Sequence, residues 1–85
     1  MIITYELNFT NLCPNNTSVV DKYALLIESV DTIMVEDILQ EVEDIKKTPL
    51  YQEDIHMRLE KKFPGAAVTL VGVHLGIKIT TRTEH

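Results

Sequence analysis

The stretch Ile3-Thr4-Tyr5-Glu6-Leu7-Asn8-Phe9-Thr10-Asn11-Leu12-Cys13-Pro14 decides how the chain is read. Ile3, Tyr5, Leu7 and Phe9 alternate with Thr4, Glu6, Asn8 and Thr10. Successive strand side chains point to opposite faces, so this period of two predicts a strand over about residues 2–10 with one apolar face. From Asn11 to Ser18 the chain is rich in Asn, Pro, Thr and Ser, which predicts a loop. Cys13, the one cysteine, stands in that loop.

Working outward, Val19 to Ser29 reads as a second strand with Tyr23, Leu25 and Ile27 on one face. Ala24 and Leu26 blur the alternation, and a helix competes for this segment. Asp31 or Thr32 can cap a helix starting near Ile33. There Met34, Ile38, Val42 and Ile45 recur every three or four residues, acidic side chains fill the other faces, and Lys46 and Lys47 suit the helix end. Thr48-Pro49 opens a second helix with Tyr51, Ile55, Leu59 and Phe63 on one face, and Pro64-Gly65 ends it. From Ala67 to Thr83 the chain is extended, as one bent strand or as two strands broken near Gly72 to Gly76. The order strand, strand, helix, helix, strand, strand predicts an α+β layer, with both helices on one face of an antiparallel sheet.

Eighty-five residues make a single domain, 1–85, and a chain this short buries a modest core. A four-stranded unit also leaves unpaired sheet edges, so an oligomer is expected. The composition, 45% hydrophobic and 25% charged, is that of a folded protein. The net charge of −5 argues against tight, sequence-independent binding of nucleic acid, which needs a basic face. Lys61, Lys62, Lys78 and Arg82 can form a local basic patch or stand apart as solvated charges. One cysteine allows no internal disulfide and fits a reducing, cytoplasmic setting. Met1-Ile2-Ile3 runs straight into a strand pattern, so no signal region is expected, and no apolar run approaches a membrane span.

Chemistry centres on Cys13. A loop can expose its thiol as a nucleophile, or the residue can sit buried at the loop base as a small hydrophobe. Asp21 can pass a proton to a developing anion or simply end a strand. Glu53, in the first turn of the second helix, can accept paired hydrogen bonds from a heterocycle edge or only complement the helix dipole. His56 lies one turn further on, as part of the site or as a surface residue. Tyr51 and Phe9 can stack on a ring or pack in the core. With no second cysteine and no ligand spacing among His56, His74 and Glu53, no metal is expected.

The run Asn8-Phe9-Thr10-Asn11-Leu12-Cys13-Pro14 resembles the Glu-Phe-Thr-Ser-Leu-Cys-Pro signature of 7-cyano-7-deazaguanine reductases, the nitrile reductases of queuosine biosynthesis in the tunnelling-fold (T-fold) superfamily. Asp21 matches the family's following Asp with one inserted residue, and Val35-Glu36 matches its Val-Glu. Tyr51-Gln52-Glu53-Asp54 resembles an aromatic-His-Glu-Asp stretch, with Gln in place of His. The resemblance implies a T-fold unit that assembles into an oligomeric barrel with sites between subunits. It implies that Cys13 attacks the nitrile carbon to form a thioimide, that Asp21 shuttles the proton, and that Glu53 anchors the deazaguanine edge. Where the reductases carry a Ser-Lys-rich continuation associated with NADPH, this chain has Asp37-Ile38-Leu39-Gln40. That difference favours a related branch, the QueF-like amidinotransferases. These form the same thioimide on the base within tRNA and then transfer ammonia to make archaeosine, with no nicotinamide cofactor. The expected partner is accordingly a deazapurine or a modified base in tRNA, together with further copies of the chain, and no membrane. The alternatives are an NADPH-dependent reductase with the same site, and a non-catalytic module binding a purine or pterin.

Overall fold

The computed structural model describes residues 1–84. The elements are β1 (Ile3–Leu12), β2 (Val20–Ser29), α1 (Val35–Ile45), α2 (Gln52–Lys62), β3 (Ala67–His74) and β4 (Ile77–Arg82). The strands form one antiparallel sheet in the order β1-β2-β3-β4. The segment open to a helix is therefore a strand, with Tyr23, Leu25 and Ile27 buried in alternation.

Register explains the core. Tyr5 pairs with Ile27 and Ile27 with Val68; Leu7 pairs with Leu25 and Leu25 with Leu70; Phe9 pairs with Tyr23 and Tyr23 with Gly72. These rows lie across the face that the helices cover. Ile38, Val42 and Ile45 of α1, and Ile55 and Leu59 of α2, pack on them with Phe63, which follows α2. Ile27, Ile45, Ile55, Leu59 and Leu70 are essentially inaccessible to solvent. Burying each such side chain stabilises the fold by roughly 1.5–3 kcal/mol.

Several boundaries differ from the sequence expectation. β1 continues to Leu12, because Asn11 and Leu12 still pair with Asp21 and Val20. Neither Asp31 nor Thr32 caps α1: Met34 stands at the N-cap with no side-chain cap bond, and the preceding Ile33 N–H donates to the Tyr5 hydroxyl at 2.9 Å. Pro49 precedes α2 rather than opening it, since Tyr51 occupies that N-cap. The last extended segment is two strands, turned at Leu75 and Gly76, whose φ values of 49° and 81° are both left-handed. Gly72 makes no bulge and keeps regular register with Tyr23 and Ile79.

Candidate active site

Past the row Phe9–Tyr23–Gly72, the residues on the helix-covered face turn polar. Here the end of β1, the start of β2, the end of β3 and the N-terminus of α2 meet. They enclose a cavity of about 220 Å³, whose walls include Cys13, Asp21, Tyr51, Gln52, Glu53 and His74, with Tyr23 and Gly72.

Cys13 is placed by Asn11. The buried Asn11 amide donates to the carbonyls of Ile45 (3.4 Å) and Thr48 (3.1 Å), tying the end of β1 to the end of α1. Its Oδ1 accepts the Leu12 N–H at 2.9 Å. Beyond it the loop closes on itself: Cys13 N–H donates to Val19 O at 3.1 Å, and Asn16 N–H to Cys13 O at 3.2 Å. Cys13 is only 6% exposed. Asp21 lies opposite Asn11 in the β1–β2 register and is equally buried.

Gln52 and Gly72 set the cavity's inner wall. The buried Gln52 amide nitrogen donates to Leu70 O at 2.9 Å and Ile79 O at 3.0 Å, with Thr81 Oγ1 3.3 Å away. A Cβ at position 72 would stand 2.3 Å from Gln52 Oε1 and 2.8 Å from Tyr23 Cε1, so only glycine lets the helix end approach the sheet here. Glu53, the next residue, is exposed at the cavity and makes no ion pair among the described residues. Tyr51 donates its hydroxyl to Asn15 Oδ1 at 2.5 Å, bridging the Cys13 loop to the start of α2.

Tyr23 registers the local charge. Its hydroxyl pKa is pushed up to about 12, first by burial and then by the negative charges of Asp21, Cys13 and Glu53 when ionised. The phenol thus stays protonated and able to donate beside the acidic groups.

Four of the residues singled out from sequence, Cys13, Asp21, Tyr51 and Glu53, line this one cavity. Phe9 and His56 are not among its walls. Phe9 stacks on Tyr23 with ring centroids 5.2 Å apart and meets the cavity only through that ring. His56 is buried, with Nδ1 2.8 Å from Thr81 Oγ1 and Nε2 3.4 Å from Glu60.

His74 is the residue that sequence reasoning left out. Its Nδ1 lies 2.6 Å from Asp21 Oδ1, and these two side chains and Cys13 Sγ offer ligand-type atoms all within 4.8 Å of one another. The trio has metal-ligand chemistry, but two ligands of a tetrahedral zinc at about 2.0–2.1 Å stand about 3.3 Å apart. The shorter His74–Asp21 distance is instead that of a charge-assisted hydrogen bond. Fifty-three positions separate the two residues, so no local motif could have signalled the pair.

No family model matches the chain, and no curated protein matches it. Among solved structures, the crystal structure of the archaeosine synthase QueF-like in its apo form is similar, with a TM-score of 0.78. The match covers 96% of this chain and 90% of that one at 17% sequence identity. At that identity the likeness is one of fold: four antiparallel strands and two helices in a T-fold-like unit.

Proposed function

We propose that the chain is an enzyme of 7-deazaguanine tRNA modification, acting on the nitrile of 7-cyano-7-deazaguanine, free or within tRNA, through a Cys13 thioimide. The observation that carries this reading is the convergence of Cys13, Asp21 and Glu53 on one cavity with Tyr51 at its wall. The fold likeness to an archaeosine synthase QueF-like protein supports it. The Cys13 sulfur bonds to the nitrile carbon as one C–N π bond opens, and the nitrogen takes up a proton. An ammonia-type donor then bonds to that carbon, the C–S bond breaks, and the thiol is regenerated. Glu53 accepts hydrogen bonds from the N–H groups of the deazaguanine edge, and Tyr51 flanks the ring. No step needs a nicotinamide. β1 and β4 are the sheet's edge strands, and a homo-oligomeric barrel formed by pairing them completes the site's surroundings.

Intact-mass measurement with the nitrile base tests the reading. An adduct of the base's mass is expected on the wild type and none on Cys13→Ala; no adduct on the wild type defeats it. NADPH consumption with the free base would move the assignment to reduction.

The burial of Cys13 favours a second reading, a non-catalytic purine- or pterin-binding module in which the thiol is packing. Binding that survives Cys13→Ala, vanishes in Glu53→Gln and leads to no turnover would select it.

A further inference from the structure

The cavity holds an imidazole that the chemistry above does not use. His74 is the last residue of β3, pinned by the tight turn at Leu75-Gly76 and about one-third exposed toward the cavity. Asp21 as a carboxylate can only accept, so at 2.6 Å the His74 Nδ1 carries the proton, which leaves the lone pair on Nε2. A carboxylate holding one ring nitrogen so that the other can take a proton is the orienting logic of acid–base histidines. Gln52 cannot serve instead, because an amide does not titrate and its N–H groups are committed to the sheet.

We propose that His74, oriented by Asp21, takes the proton of the Cys13 thiol and returns it to the nitrile nitrogen. The S–H bond breaks and its proton passes to Nε2, directly or through one water. The sulfur lone pair forms the S–C bond, one C–N π bond opens onto nitrogen, and the imidazolium returns the proton there. The net step adds S–H across the nitrile, with no oxidant or reductant. Asp21, which the family resemblance would make the proton shuttle, here keeps its charge and serves as a positioning residue. Asp21 and Cys13 stand beside His74, and the other titratable groups lining the same cavity are Tyr23 from β2 and Tyr51 and Glu53 at the start of α2; among the described residues β4 contributes apolar Ile79 to it. The nitrile half of this inference rests on the function proposed above, whereas the thiol half does not.

The test therefore has two arms, run on the wild type, His74→Gln and Asp21→Asn, with circular dichroism as the fold control. In the first, iodoacetamide alkylation of Cys13 is followed from pH 5 to 9. The wild type should show an extra inflection on the acidic side and react at least tenfold faster at neutral pH than His74→Gln, whose profile rises in a single alkaline step. Superimposable profiles would overturn the proposal. So would one tightly bound zinc that blocks alkylation and is lost in His74→Gln, since the trio would then be a metal site. In the second arm, thioimide formation with the nitrile base should slow on the order of 10²- to 10⁴-fold in His74→Gln while substrate affinity holds. If no adduct forms on the wild type but alkylation still depends on His74, the relay stands and the substrate assignment fails. Should His74→Gln misfold, NMR titration of the wild-type His74 ring decides: its profile should change once Cys13 is carboxamidomethylated, and an unchanged profile overturns the relay.

Discussion

The covered face of the sheet has two parts built on the same ladder. In the middle, Leu25, Leu70 and Ile27 share one apolar cluster with Ile55 and Leu59. One step past the Tyr23–Gly72 pair, the same alternation delivers Asn11, Asp21 and His74, and Cys13 follows just beyond the end of β1. Asp21 and Cys13 are as buried as many core residues, each 6% exposed, while His74 stays about one-third exposed. What changes is what burial accomplishes. In the middle it removes apolar surface from water and stabilises the fold. At the end it places polar groups where each must be satisfied by another, which fixes their geometry and strengthens their mutual electrostatics.

The largest effects should separate these two parts. Leu59→Ala empties a fully buried site on α2 and should cost about 2–5 kcal/mol in denaturant unfolding. Cys13→Ala removes one sulfur from a cavity wall and should cost less than about 1.5 kcal/mol, yet abolish the nitrile adduct completely. If Cys13→Ala costs as much stability as Leu59→Ala, the division between packing and site is wrong.

How legible each part was follows from the same contrast. Tyr23, Leu25 and Ile27 on one strand face, and Ile55, Leu59 and Phe63 on one helix face, were readable because burial imprints its period on the sequence. Cys13, Asp21, Tyr51 and Glu53 could be picked out as a group because they stand in a recognisable order along the chain, and they share one cavity. His74 was not, because the β2–β3 pairing brings it to Asp21 and no sequence spacing records that pairing. The buried polar brackets Asn11 and Gln52 were missed for a related reason: each is held by backbone carbonyls, which carry no side-chain signal.

Tyr23 lies on the boundary between the parts, and pH probes it. Its hydroxyl titrates near 10 when unfolded and near 12 when folded. The fold therefore favours the neutral phenol, its contribution is intact below pH 10, and it is lost as the pH rises toward 12. The wild type should lose about 2 kcal/mol more than Tyr23→Phe between pH 10 and 12. Parallel pH–stability curves for the two proteins would mean that neither burial nor the acidic groups hold the Tyr23 phenol neutral.

Gly72→Ala tests the boundary sterically. Both atoms it would strike, Gln52 Oε1 and Tyr23 Cε1, belong to buried side chains that cannot swing into solvent. A cost of about 1–3 kcal/mol is expected in thermal unfolding. Because Gln52 must give way and Glu53 follows it in the chain, weaker ligand binding should accompany the loss. A destabilised protein with unchanged affinity would show that Glu53 is positioned independently of Gln52.

The smallest effect concerns the turn beyond His74. Leu75 adopts a left-handed conformation that costs a non-glycine residue roughly 1–2 kcal/mol and that Asn tolerates better. Asn followed by Gly is also the preferred pair for a two-residue hairpin with both φ values positive. Leu75 is largely exposed, so its side chain returns little packing within the chain. Leu75→Asn should therefore raise stability by up to about 1 kcal/mol in denaturant unfolding. The informative measurement is the Cys13 alkylation rate in the same variant. Unchanged reactivity would mean that the Asp21 hydrogen bond alone positions His74. A stabler protein with a less reactive thiol would mean that the strained turn helps aim the imidazole, so that this end of the sheet gives up stability for geometry where the middle does the reverse.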